Sequence, residues 1–329
     1  MWFVDSQDSA LPQVNLAIEE YLLRNILPEE DLLLLYVNEP SIIIGRFQNT
    51  LEEVNQTYVD DHGIHVVRRL SGGGAVYHDL NNLNYSFITA KDSESISNFK
   101  KFTAPVIRIL NEMGVPAELG ARNEIHIRGL KISGSAQYIT TRRMISHGTL
   151  LFNSDLTRLS EALLVAPGQI SSKSIKSIRS QVTNIADHLP QPMDMAEFRQ
   201  RILQGITQNL PQVQPYHLTE SDWQAIRRLA EERYMQWQWN YGGSPDFSVK
   251  RNRRFAGKDI TIQLDIHQGA IRSANFSAGF LEDTDRMLLS ASLAGVRYTR
   301  EQIRVALAPA ISRLQTNQLS ITDWLELLI

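Results

Sequence analysis

The sequence predicts an α+β protein, with sheets flanked by helices in a large domain, residues 1–245, and a small α/β domain, residues 246–329. Three observations carry this reading. Short, densely apolar runs of strand length interleave with amphipathic stretches of helical period through most of the chain. A turn-rich segment, Trp237 to Pro245, carries Asn240-Tyr241-Gly242-Gly243-Ser244-Pro245 and has little helical periodicity. Beyond it the pattern restarts as strands followed by helices, over a stretch long enough for a small domain.

The elements follow in order. Residues 15–26 repeat Leu16, Ile18, Tyr21, Leu22 and Ile26, predicting an amphipathic helix. Residues 32–37 and 41–45 are apolar runs separated by Asn38-Glu39-Pro40, hence buried strands joined by a turn. His62 and His65, after Asp60 and Asp61, are the only close histidine pair. Gly63 between them predicts a turn before a strand rather than a metal site, whose ligands need convergent geometry and supporting contacts. Strand-like residues 64–67 enter a glycine loop, residues 75–77 leave it, and residues 83–89 continue the pattern. Residues 99–113 predict a helix stopped by Gly114, with Pro116 beyond.

Residues 123–152 predict strands joined by tight turns, with Ile125 and Ile127 alternating with polar neighbours and Arg142-Arg143 at a hairpin tip. Helices are expected at 155–163, 195–209 and 220–236. In the small domain, strands are expected at 259–266 and 270–276 and helices near 284–294, 300–314 and 321–328. The basic run Lys250-Arg251-Asn252-Arg253-Arg254 reads as a charged hairpin edge. An RNA contact is the other reading, but no aromatic platform stands beside it.

Composition excludes several functions. With 33 basic and 36 acidic side chains there is no global electrostatic case for a nucleic-acid partner. No stretch approaches the roughly 20 apolar residues of a membrane span. The start, Met1-Trp2-Phe3-Val4-Asp5-Ser6, lacks the basic region and apolar core of a signal peptide, so a cytoplasmic enzyme is expected. The absence of cysteine removes disulfides, thiolate zinc sites and a cysteine nucleophile.

The most informative stretch is Arg68-Arg69-Leu70-Ser71-Gly72-Gly73-Gly74-Ala75-Val76-Tyr77-His78-Asp79. Three consecutive glycines are costly to order, because glycine loses the most backbone freedom on folding. Flanked by strands and two arginines, the run reads as a loop whose bare N–H groups suit a phosphate or carboxylate; a tight structural turn is the alternative. It has neither the P-loop spacing nor a dinucleotide fingerprint. The second constellation, Gly129-Leu130-Lys131-Ile132-Ser133-Gly134-Ser135-Ala136-Gln137, sets one lysine among small residues. A compact ammonium suits a phosphate oxygen, although a lysine on an exposed strand edge reads the same way.

The glycine loop resembles the signature of the lipoate–protein ligases. Further matches to that family run in order: residues 38–49, Arg122-Asn123-Glu124, the lysine motif around Lys131, residues 147–152, residues 173–185 and the Asn240 to Pro245 boundary. The resemblance covers essentially the whole chain and points to the two-domain bacterial type, with a biotin/lipoate ligase-like large domain of mixed sheets. It implies a catalytic domain over 1–245 and an accessory domain over 246–329.

The resemblance also implies a two-step reaction. Lipoate attacks the α-phosphate of ATP to give lipoyl-AMP, and a lysine of an acceptor lipoyl domain then takes the lipoyl group. Mg2+ is expected to arrive with ATP rather than in a preformed cage. The acceptors implied are lipoyl domains of 2-oxoacid dehydrogenase acyltransferase subunits and the glycine-cleavage carrier protein. Lys131 is the catalytic candidate. Arg69, Gly74, Ala75, Val76 and Tyr77, with Lys131, are expected at the nucleotide. Ser71, Gly72, Gly73, Lys131, Ser133, His147 and Asn123 are expected at lipoate or lipoyl-AMP; His147 reads equally as a satisfied strand histidine.

Three departures from the family pattern stand out. Asn81 replaces a glycine at an expected left-handed turn, Glu124 replaces a shorter aspartate, and Ser135 stands where some relatives carry asparagine. A non-catalytic or transfer-only lipoyl-domain-binding paralogue is the competing reading. An octanoyltransferase is disfavoured, because its acyl-thioester needs the missing cysteine.

Overall fold

The computed structural model describes residues 1–26, 30–165, 170–208, 210, 213–255, 258–315 and 319–329. Two compact units emerge: the first is Met1–Arg46, Glu53–Leu164 and Ser177–Gln236, the second Phe47–Glu52, Val165–Lys176 and Trp237–Ile329. The expected division after Pro245 therefore falls inside the second unit, which also takes two segments from the expected large domain.

In chain order the strands are β1 Trp2–Val4, β2 Leu32–Tyr36, β3 Ser41–Ile44, β4 His65–Arg68, β5 Val76–His78, β6 Asn82–Ala90, β7 Ala117–Leu119 and β8 Ile125–Ile127. They continue with β9 Leu130–Ser133, β10 Ser135–Ile139, β11 Arg143–Leu151, β12 Ile170–Ser172, β13 Gln214–Tyr216, β14 Phe247–Phe255, β15 Lys258–His267 and β16 Ala270–Ala278.

The first unit is built on a six-stranded mixed sheet ordered β10-β11-β6-β2-β1-β13. β2 is buried along its whole length, which is why its sequence, Leu32-Leu33-Leu34-Leu35-Tyr36, does not alternate. Leu33, Leu35, Tyr85 and Phe87 from this sheet, with Phe152 just beyond β11, share a core with Phe102, Val106, Phe198 and Ile202 of helices Phe99–Glu112 and Met195–Thr207. Gly205 allows those helices to approach, since a Cβ there would collide with Ile109. Residue 209, the expected end of the second helix, lies outside the described residues.

Two three-stranded sheets carry the chemical motifs. In one, β3 pairs in parallel with β4 and antiparallel with β5, so the glycine loop connects its two outer strands. In the other, β7-β8-β9 form an antiparallel meander whose β8–β9 turn places Arg128 and Gly129 at φ of 50° and 81°. Positive φ at both central residues is the hairpin geometry that matches strand twist.

The second unit is a four-stranded antiparallel sheet, β12-β14-β15-β16, with helices Asp283–Leu293, Arg300–Ile311 and Ile321–Leu328. Its core joins Val249, Ile262, Leu264 and Phe276 to Leu289, Leu307 and Trp324, with Leu51 and Ile170 packed against it. The Thr50 hydroxyl donates to the Asn240 carbonyl at 2.6 Å.

Three local expectations are corrected. Arg142 does lie in the β10–β11 hairpin turn, but Arg143 opens β11 and is buried, its guanidinium donating to the carbonyls of Ile26 and Ile88. The helix begun at Glu220 is α-helical only to Leu229 and widens to a π-turn over Ala230–Tyr234. That turn lets Arg233 and Tyr234 both reach the buried Glu20 carboxylate. The basic run, by contrast, is the charged hairpin edge expected: residues 250–254 lie in β14, paired on one side with β15, while β12 reaches only to Val249. Asn81 is absent from the left-handed positions. Its N–H instead donates to the Asp79 carboxylate at 2.9 Å in a side-chain-stabilised turn, so no glycine is needed there.

Candidate active site

The glycine loop is shaped from beneath by Arg69. Its Nη2 donates to the carbonyls of Gly72 and Gly74 at 2.6 and 2.8 Å, its Nη1 to Ile43 at 2.9 Å and its Nε to Ser71 Oγ at 3.0 Å. Arg69 thus gathers two loop carbonyls onto one guanidinium. Arg68 beside it is fully buried and donates to the Gly45 carbonyl at 2.9 Å. Burial pushes both guanidinium groups down to about 10, so both stay charged at neutral pH. Gly73 sits at φ +92°, open only to glycine without strain. Gly45 is glycine because a Cβ there would collide with the Gly73 carbonyl oxygen.

A chain of hydrogen bonds leaves the loop. Ser71 Oγ lies 2.7 Å from His147 Nε2, and His147 Nδ1 lies 3.0 and 3.1 Å from the Glu19 carboxylate oxygens. Glu19 also accepts from the Tyr36 hydroxyl at 3.2 Å. Only one directionality satisfies every partner: Nδ1–H donates to the carboxylate, Nε2 accepts from Ser71, and Ser71 accepts from Arg69 Nε.

His78, on the strand leaving the loop, accepts at Nδ1 from Asn38 Nδ2 at 2.9 Å, since Asn38 Oδ1 already accepts from Asn15. Burial, with Arg69 and His147 nearby, pushes the His78 imidazole down to about 3, so it is neutral.

Lys131 lies on β9, where the pairing with β8 shifts register: Ser133 opposes Ile125, but Lys131 opposes His126. Such bulges re-aim a side chain. Lys131 Nζ donates to Glu124 Oε1 at 3.0 Å. Gly134 leaves room beside the ammonium, since a Cβ there would lie 3.5 Å from Nζ. Ser133 is buried, and Asn123 holds a left-handed turn at φ 62° just before Glu124.

One short segment touches both motifs. At residue 177 the Ser177 hydroxyl accepts from the Ala75 N–H at 2.8 Å, and its own N–H donates to Glu53 at 3.1 Å. At 181–183 the chain bonds both backbone groups of Lys131: Lys131 N–H donates to Gln181 and Thr183 N–H donates to Lys131. Gly74 is therefore glycine for a reason within the fold, because a Cβ would lie 3.0 Å from Ser177 Oγ.

The structure thus joins Arg69, Ser71, Gly72, Gly74 and His147 in one network, and connects Ala75 with Lys131 through residues 177–183. Tyr77 is buried among Ile42, Val59 and Ala162, with Val66 and Ala75 packed alongside. Val76 extends the strand leaving the loop. Sequence reasoning missed Glu19, Tyr36, Gly45 and Ser177. Glu19 did carry a signal, an acid three and four residues from Leu16, Leu22 and Leu23 on an otherwise apolar helix face.

Comparison with known proteins identifies the family. A model of the lipoyl protein ligase A/B catalytic domain matches residues 11–207, and one of the bacterial lipoate protein ligase C-terminus matches residues 244–328. The two models match in chain order and together span most of the chain.

The chain is 46% identical over 330 residues to lipoate-protein ligase LplJ of Bacillus subtilis (strain 168), covering all of both chains. Among solved structures, the putative lipoate protein ligase Ta0514 of T. acidophilum with bound lipoic acid superposes with a TM-score of 0.63 and 27% identity. That match covers 73% of this chain and 98% of the other. A lipoate-protein ligase A bound with ATP gives 0.62 and 27%, covering 74% and 96%. This chain belongs to the lipoate–protein ligase family.

Proposed function

We infer that the chain is an ATP-dependent lipoate–protein ligase. It activates lipoate with ATP to lipoyl-AMP, releasing pyrophosphate, and transfers the lipoyl group to a lysine of an acceptor lipoyl domain. The observation that supports this most is the link between the two anion-suited motifs. The glycine loop and Lys131 are bonded to opposite ends of the same seven-residue segment, 177–183. A guanidinium beneath the loop and an ammonium tied to the same segment would supply the positive charge that a nucleotide and a carboxylate call for.

In this reading Lys131 is the catalytic residue, neutralising charge on the α-phosphate and the attacking carboxylate. Gly74, Ala75, Val76 and Tyr77 offer backbone to the nucleotide. Ser71, Gly72, Gly73, Asn123, Ser133 and His147 border the acyl part. Arg69 acts through the loop that it shapes rather than by direct contact, because four of its N–H groups are engaged within the protein. Mg2+ comes with the triphosphate. The acceptors are lipoyl domains of 2-oxoacid dehydrogenase acyltransferase subunits and the glycine-cleavage carrier protein. The place of work is the cytoplasm, a reading compatible with the absence of any membrane-spanning helix among the described residues.

The test is incubation with ATP, lipoate and an isolated lipoyl domain, read by mass spectrometry. A lipoyl-sized mass gain on the acceptor that depends on ATP is expected. Transfer only from supplied lipoyl-AMP would instead favour a transfer-only protein.

A further inference from the structure

Lys131 stands in a site meant for anions, yet its nearest partner is a carboxylate. Glu124 is nearly buried, and its Oε1 accepts from Lys131 Nζ at 3.0 Å. Its other oxygen, Oε2, lies 3.3 Å from His126 Nε2 and 3.6 Å from Arg122 Nη2. A lone carboxylate there would repel a phosphate. Here cationic and polar groups surround it, and although burial works to raise its pKa, Lys131, Arg122 and His126 together hold it below the usual carboxylate range.

The backbone is arranged to bring this pair together. The left-handed turn at Asn123 ends immediately before Glu124, and the register shift between β8 and β9 sets Lys131 opposite His126. An ammonium has three N–H donors. One is held by Glu124, and among the described residues the other two meet no protein acceptor.

We propose that Glu124 is a positioning residue for Lys131: it anchors one N–H so that the remaining two are aimed at two ligand oxygens, one from the acyl carboxylate and one from the α-phosphate. Both are anions that must approach each other for the acyl–phosphate bond to form, and an ammonium bridging them offsets their repulsion. A freely rotating lysine would supply the charge without the aim. This rests on the reading of Lys131 as the group at the reacting oxygens, and it explains why the acid need not touch substrate.

The experiment measures lipoate-dependent pyrophosphate release for the full chain and for Glu124→Ala, Glu124→Gln, Lys131→Ala and the double alanine variant. Glu124→Ala is expected to lower kcat about tenfold, with smaller changes in the KM for ATP and lipoate. Glu124→Gln keeps an oxygen acceptor for the ammonium and recovers most of the rate. The double variant is expected to be no slower than Lys131→Ala alone, because a positioning residue has nothing to position once the lysine is gone. Thermal melts confirm folding. Should Glu124→Ala not fold, Glu124→Met fills the same space without a carboxylate and replaces it throughout.

A defective Lys131→Ala beside a fully active Glu124→Ala overturns the proposal and leaves the role of Lys131 standing. Losses that multiply in the double variant also overturn it, since Glu124 would then act on the ligand or on magnesium by itself. A fully active Lys131→Ala removes the underlying reading as well.

Discussion

Ser71 Oγ and His147 Nε2 are 2.7 Å apart, although 76 residues separate them in the chain. The bond ties the glycine loop to β11, and through Glu19 to the helix Pro12–Asn25. The loop's conformation is thereby tied to two separate elements.

Ser71→Ala should leave two buried groups without their partner, the Arg69 Nε–H and the His147 Nε2. We expect a loss of about 1–3 kcal/mol of stability, together with weaker binding of lipoyl-AMP. Denaturant melts and calorimetric titration check both. Unchanged stability and affinity would show that the Ser71 hydroxyl holds nothing.

Lys131→Ala should fold, because the side chain is partly exposed and contributes little to a core. Adenylate formation should fall by on the order of a hundredfold or more, corresponding to ~2–4 kcal/mol of transition-state stabilisation. Lys131→Arg should not restore it, since a planar guanidinium fork does not reproduce the compact point charge of an ammonium. Single-turnover adenylation is the measurement.

Gly45 lies outside the triple-glycine run, yet Gly45→Ala should damage the loop. The new methyl group would strike the Gly73 carbonyl oxygen, and Gly73 has no alternative at φ +92°. Lipoyl-AMP affinity should drop about tenfold or more, with a lower melting temperature, through overpacking. Wild-type affinity would mean that the loop can shift freely.

Stability should fall in mild acid because of His78. Its folded value is near 3, while an unfolded histidine titrates near its ordinary value of about 6.5, so the unfolded state binds the extra proton between those limits. Stability is therefore complete above about pH 6.5 and declines as pH drops, by about 2 kcal/mol at pH 5 from this group alone. His78→Asn keeps an acceptor for Asn38 and should show a shallower decline. Urea melts at pH 7 and pH 5 on both proteins decide it.

A chain shortened after Gln236 should keep the first unit folded but leave residues 47–52 and 165–176 without their partners. Limited proteolysis read by mass should find its earliest cuts there. Because residues 177–183 follow directly, we expect ATP-dependent adenylation to be lost while transfer from supplied lipoyl-AMP persists. Full ligation by residues 1–236 would show the second unit to be dispensable.

The parts legible in the sequence were those with a strong local signal. The helix at residues 99–112 shows its apolar period and its Gly114 stop, and Ile321–Leu328 has the expected bounds. The three-residue strands β1, β7, β12 and β13 were not legible, because each is fixed by a neighbour rather than by its own pattern. Arg143 looked like a surface charge since the carbonyls that bury it come from distant residues. The glycine loop and Lys131 declared themselves through unusual composition. Glu19, Gly45 and Ser177 did not, because their roles exist only once the strands have paired.

The second unit takes Phe47–Glu52 and Val165–Lys176 from far upstream of Trp237–Ile329. On the ribosome, which releases the chain from its N-terminus at about 5–20 residues per second, those two segments emerge well before the sheet that receives them. For several seconds they hang from a folded first unit, with Leu51 and Ile170 still in water. The second unit thus closes only after Trp237–Ile329 has emerged, and a chain abandoned before then leaves two apolar segments exposed.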